Sequence, residues 1–263
     1  MVSSRVAVLS PSLMKYAVSV GVMAIVARRM IPFSLSKEQD WQWRFLFYLD
    51  TGPMHLVFSG LMDADDPLMR DAVAWYREGP PTKMYRPYGD LSHVPSLRYE
   101  MSSWECCYSW NVYHNWELGD REHFLQALYS QFAGAMSRQT YTVCESRGGL
   151  TSNIFWIPAM ALARLAVIDD EIAPNELHLL RLCPQAWVAG KGATFERMPT
   201  RFGPIDLQAV VSGDQLQVRF SPKFRLKPGK VMLHIPPVAG LKSITVNGRR
   251  MEWDGKAEAV QVR

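Results

Sequence analysis

Cysteine is scarce here and badly placed for chemistry, with four residues in a chain of 263, at positions 106, 107, 144 and 183. None stands in C-x-x-C spacing, and the vicinal pair cannot close an ordinary disulfide on itself. Neither a cysteine-held metal nor a dithiol redox centre is indicated, and no metal or cofactor is expected. Buried thiols on helices are the plainer reading. Runs of like charge are missing too: the net charge is +4 and the basic residues are scattered along the chain, so nucleic acid is not expected as a partner. Long hydrophobic runs are also absent. The strongest, Tyr16 to Ala27, is twelve residues between Lys15 and Arg28-Arg29, well short of the ~20 that cross a bilayer. Its double arginine follows the apolar run, where a secretory signal would carry charge ahead of it. The run reads as a buried helix over 13–29, and no membrane partner is expected.

What remains is the composition of a globular protein with a proper core, 48% hydrophobic and 21% charged. After the first helix, residues 30–40 form a connector. The apolar stretch Trp41–Leu61 then carries Gly52-Pro53, which predicts a break at Asp50-Thr51-Gly52. Asp66 stands as N-cap before Pro67, and the helix it opens is predicted to run to Glu78. A proline- and glycine-rich connector covers 79–102. Ser102 or Ser103 is predicted to cap a helix through about Leu118, with Glu105 placed for a capping box. Gly119-Asp120 is a tight stop and restart before a helix over 121–137, which puts Phe124, Leu128, Phe132 and Ala135 on one stripe. A loop over 138–152, a helix over 153–168, the acidic turn Asp169-Asp170-Glu171 and a last helix from Pro174 to about Val188 complete this region.

Long connectors alternate with short ones, and packed helices joined by short turns run antiparallel. The long loops are therefore expected at one end of the array. The short turns DADDP, GDRE and DDEIAP recur about fifty residues apart, as repeated helical hairpins would place them. Beyond Lys191 the pattern changes to short apolar stretches, Leu207–Val211, Leu216–Phe220, Lys230–Ile235, Ile244–Val246 and Val260–Val262, separated by turn signals. These predict a small antiparallel β-sandwich over 191–263 after a helical domain over 1–190, with Asn247-Gly248 as the clearest hairpin turn.

The chemistry concentrates between Arg98 and Leu150. Carboxylates there alternate with tryptophan, tyrosine, asparagine and histidine, a combination suited to sugars. Carboxylates can act on a glycosidic oxygen or a water, and aromatic rings cover the flat apolar faces of pyranoses. Glu145 lies in the 138–152 loop, with Tyr141 before it and Arg147-Gly148-Gly149 after it; an ion pair with Arg147 or Arg138 is its ordinary alternative. Glu100 and Glu105 flank the Met-Ser-Ser turn, where a salt bridge with Arg98 and the capping role compete with catalysis. Asp50 and His55 stand at the helix break, where Asp50 could equally serve as a cap. Trp104, Tyr108 and Asn111 share a helical stripe, so the members nearest the loop are candidates to stack on sugar. His114 reads better as a hydrogen-bonded packing residue than as a ligand.

The segments YLDTGPMH (48–55), EMSSWECCYSWNVYHNW (100–116), SRQTYTVCESRGG (137–149), LLRLCPQAWVAGKGATFERMPTRFG (179–203) and VNG (246–248) resemble the C-terminal part of a six-hairpin glycosidase. That family is an (α/α)6 toroid of helical hairpins followed by a β-sandwich. The likeness implies a partial toroid over 1–190, because fewer helices are counted than a closed ring needs, and so either a natural short variant or a fragment with a missing N-terminal segment. It implies a carbohydrate substrate, one carboxylic acid that protonates the leaving oxygen, and a second carboxylate, here Glu145, that activates water. It leaves open whether the acid belongs to this chain. A related outcome is a polysaccharide lyase using Tyr113, His114 and Tyr141. A third is a non-catalytic carbohydrate-binding or structural fragment, whose exposed 13–29 flank would self-associate.

Overall fold

The computed structural model describes residues 56–78, 110–135 and 157–262. The chain divides into two compact units, residues 1–160 and 161–263. The described elements of the first are α1 (Pro67–Glu78), α2 (Trp110–Leu118), α3 (Arg121–Ala135) and the start of α4 (Ile157–Leu165), whose remainder belongs to the second. α1 begins where its capping signal stands: the Asp66 carboxylate accepts the Leu68 N–H at 2.8 Å, satisfying a first-turn donor that the helix itself cannot pair. α2 and α3 pack against each other across the turn at Gly119-Asp120. Gly119 takes φ 75°, and Asp120 caps α3 by accepting the His123 N–H at 3.2 Å. Phe124 and Leu128 of the predicted stripe are fully buried.

The second unit contains two mixed sheets. One has the order β1 (Ile168–Asp169), β2 (Glu176–Leu179), β6 (Lys230–His234), β9 (Ala259–Gln261). The other has the order β3 (Ala193–Met198), β4 (Ile205–Ser212), β5 (Gln215–Pro222), β7 (Ser243–Val246), β8 (Arg249–Arg250). A single turn of helix, α5 (Gln185–Val188), lies between β2 and β3. Alternation builds the core: Leu177 and Leu179 on β2, Ile205, Leu207 and Ala209 on β4, and Leu216 and Val218 on β5 are all buried while their neighbours on the strand are more open. Asn247-Gly248 turns β7 into β8 with both residues at positive φ, 51° and 79°, and the Asn247 side chain holds both the N–H and the C=O of Phe220.

Three expectations are corrected. The described residues do not form a partial (α/α)6 toroid; they are mainly β, nine strands in two sheets with a few short helices, and α2–α3 is the helical hairpin they contain. The helix expected from Pro174 to Val188 is instead strand β2 followed by α5. Asn175 and Leu180 take φ 61° and 60°, which a helix cannot accommodate, and Leu177 and Leu179 are buried through alternation against β6. Finally, the sheets are not purely antiparallel. β2 runs parallel to β6, and β5 runs parallel to β7. Helix 13–29 and the self-association expected from it lie outside the described residues.

Candidate functional site

α2 and α3 are neighbours joined by a two-residue turn, so they run antiparallel, and the start of α2 and the end of α3 lie at the same end of the hairpin. Of the residues the sequence nominates, Asn111 is described: it sits in the first turn of α2, 5% exposed, its Oδ1 within 3.0 Å of the Val112 N–H. Glu145, Glu100, Glu105, Asp50, His55, Trp104, Tyr108, Tyr141 and Arg147 lie outside the described residues. His114 is 1% exposed, with Nε2 2.8 Å from the Ala64 carbonyl. Burial pushes its imidazole below the ordinary value, against the upward pull of that hydrogen bond. On the next turn Tyr113 and Trp116 pack together, centroids 5.1 Å apart, and Phe58 meets Tyr113 edge-on.

A second polar assembly lies where β2 and β6 pair. Glu176 and His178 point to the same side of β2, and Lys230 and His234 meet them from β6. Lys230 Nζ reaches Glu176 Oε1 at 2.7 Å, His178 Nε2 reaches Glu176 Oε2 at 3.2 Å, and His178 Nδ1 lies 2.8 Å from His234 Nε2 with the rings stacked. Which ring nitrogen donates and which accepts in these contacts follows from the tautomer of each imidazole. The Lys230 ammonium, ahead of any other partner, holds the Glu176 carboxyl below its usual range, so it is ionised at neutral pH. The sequence does not reveal this assembly, because E-L-H-L and K-V-M-L-H show only that each pair shares a strand face, not that the strands are neighbours.

On the other sheet, an open groove of about 800 Å³ runs over β3, β4 and β5, lined by Glu196, Arg197, Asp206, Gln208 and Arg219. A bulge between Phe195 and Met198 shapes its rim: Arg197 takes φ 51° and donates its N–H to Asp206 at 2.7 Å. In the same unit, the acidic turn that begins at the end of β1 forms a buried knot. Asp169 is fully buried and accepts the Glu171 and Ile172 N–H groups, while Asp170 accepts Arg164 Nη1 at 2.9 Å and the Arg201 N–H at 2.6 Å. Among the described residues no cluster of three or more metal-ligating side chains occurs, and no helix is long and apolar enough to cross a membrane. Comparison with family models, with curated proteins and with solved structures finds no match in any of the three.

Proposed function

We propose that the chain is a glycoside hydrolase that cleaves a glycosidic bond by carboxylate acid–base catalysis, with Glu145 as the base that activates water. Glu100 and Glu105 are the carboxyls available to protonate the leaving oxygen. What supports this reading is the α2–α3 hairpin, whose short turn sets the start of α2 and the end of α3 at one end, together with the carboxylates and aromatic residues of the sequence on either side of it. The reading needs a shared end, not a closed ring, so the loss of the expected toroid leaves it standing. An inverting pair needs its two carboxyls ~6.5–9.5 Å apart, with room for one water between them. The burial of His114 weighs against the lyase, since an imidazole held on the Ala64 carbonyl in the core is poorly placed to take a proton from a uronate.

The test is release of reducing ends from a panel of nitrophenyl glycosides and soluble polysaccharides, followed together with ultraviolet absorbance. Hydrolysis yields reducing ends without the absorbance of a new carbon–carbon double bond. Glu145→Gln, with an unchanged circular dichroism spectrum, is expected to lose about 10²–10⁴-fold in turnover, the usual worth of a positioned acid or base. Unchanged turnover in Glu145→Gln, or products that absorb, would overturn the proposal.

A further inference from the structure

Four of the basic residues that stand apart in the sequence are carried on two segments that the fold joins. Arg201, Lys223, Arg225 and Lys227 are all exposed, and three backbone hydrogen bonds bring their two segments together. Lys223 N–H bonds the Pro204 carbonyl at 2.9 Å, and the Arg225 and Leu226 N–H groups share the Phe202 carbonyl at 2.8 and 3.1 Å. Gly203 makes this approach possible: at φ 126°, a Cβ there would lie 2.5 Å from the Lys223 carbonyl oxygen. Phe224 anchors the loop from beneath against Phe202 and Phe220. The four cations are thus presented by a fixed loop.

None of the four side chains has an ion-pair partner among the described residues. Asp170, which accepts the Arg201 backbone N–H, is paired with Arg164, as is Glu171, and Glu176 is paired with Lys230. Like charges carried on adjoining segments repel, and an arriving anion relieves that repulsion. Leu226, 62% exposed, lies between two of the cations and offers an apolar surface.

We propose that this loop binds an anionic polysaccharide, one bearing uronate carboxylates or sulfate esters, and holds it on the sheet unit. The choice of a glycan over other polyanions rests on the hydrolase reading above. It also rests on Phe224 being committed to packing, so that the loop offers no free ring for a base to stack on, as single-stranded nucleic acid would require. The cations sit on a loop, not on the amphipathic helix by which a chain lies on a lipid surface.

The experiment is affinity electrophoresis of the full chain through gels containing polygalacturonate, heparin or neutral dextran, repeated at rising salt. A triple variant, Lys223→Ser/Arg225→Ser/Lys227→Ser, is run beside Glu145→Gln. Wild type is expected to be retarded by at least one of the two anionic glycans and not by dextran, with a retardation that falls with salt. The triple variant is expected to bind at least about tenfold more weakly, a loss of more than about 1.4 kcal/mol. Glu145→Gln is expected to bind like wild type, which separates this loop from the catalytic reading. No retardation by either anionic glycan, or equal retardation of the triple variant, overturns the proposal whether or not the chain hydrolyses sugar. Tighter binding to single-stranded DNA or to phosphatidylserine vesicles than to both glycans overturns it in favour of those partners.

Discussion

Removing the Asp170 carboxylate tests the knot that ties α4 to the sheets. Its side chain is 5% exposed and accepts two donors, Arg164 Nη1 at 2.9 Å and the Arg201 backbone N–H at 2.6 Å. Charge-assisted hydrogen bonds contribute about 1.5–3 kcal/mol each, and breaking a buried ion pair from one side costs about 3–5 kcal/mol. Arg164 is not wholly stranded by the loss, because it keeps Glu171 at 3.2 Å and the Ile168 and Pro199 carbonyls at 3.4 and 3.3 Å. Asp170→Ala should therefore fall at the lower end, about 3 kcal/mol. Asp170→Asn keeps an acceptor for the Arg201 N–H and should lose about half as much. Urea unfolding followed by circular dichroism gives the losses, and amide exchange at Arg201 reports the local bond: the alanine variant should speed it, the asparagine variant much less. A double-mutant cycle with Arg164→Met should show coupling of at least about 1 kcal/mol. Losses under about 1 kcal/mol for Asp170→Ala, or additivity with Arg164→Met, would refute the knot as an energetic feature.

His114 makes the helical unit acid-sensitive. Its folded value lies below the ordinary 6.5 because of burial, so the unfolded chain takes up the proton first as pH falls. The stability it supports is complete above 6.5 and declines below it, by no more than about 1.4 kcal/mol per pH unit. Unfolding midpoints measured between pH 7.5 and 5 should fall for wild type and fall less steeply for His114→Gln, whose amide can still donate to Ala64. Gly203→Ala should cost roughly 2–4 kcal/mol, since its methyl would meet the Lys223 carbonyl at 2.5 Å in a backbone region that L-residues avoid. Thermal melts would check the cost, and polyanion retention should fall in the same variant. Asn247→Ala removes two bonds to Phe220 and strains φ 51°, for about 2 kcal/mol; Asn247→Gly should lose less, because only the bonds go.

Local chemistry was readable where it is self-contained. Asp66-Pro67 started α1 in the expected place, Gly119-Asp120 divided α2 from α3, Phe124 and Leu128 turned inward, and Asn247-Gly248 made its hairpin. Strands β4, β5, β6, β7 and β9 were visible as alternating stretches between turn signals. The misreading began at Pro174, where N-E-L-H-L-L-R-L suits either period and an acidic turn with proline resembles a helix start. What decides it is a partner at Lys230–Leu233, far along the chain, and no local pattern encodes that pairing. The basic loop was hidden for the same reason: Arg201 and Arg225 meet only through the Phe202 carbonyl. Of the nominated sugar-site residues, Asn111 is described and is buried in the first turn of α2; a polar side chain on the inner face of a helix reads the same in sequence as one facing a ligand.

The parallel pairing of β2 with β6 governs how this protein can be dissected. The change in sequence grammar near Lys191 invites a cut there to free the sheets, yet such a piece would leave β1 and β2 behind and strip one whole side of β6. A bare central strand rich in valine, methionine and leucine recruits whatever strand it next meets, usually another copy of itself. A soluble sheet unit has to be excised upstream of Ile168, so that the last stretch of helix-bearing chain travels with the strands it feeds.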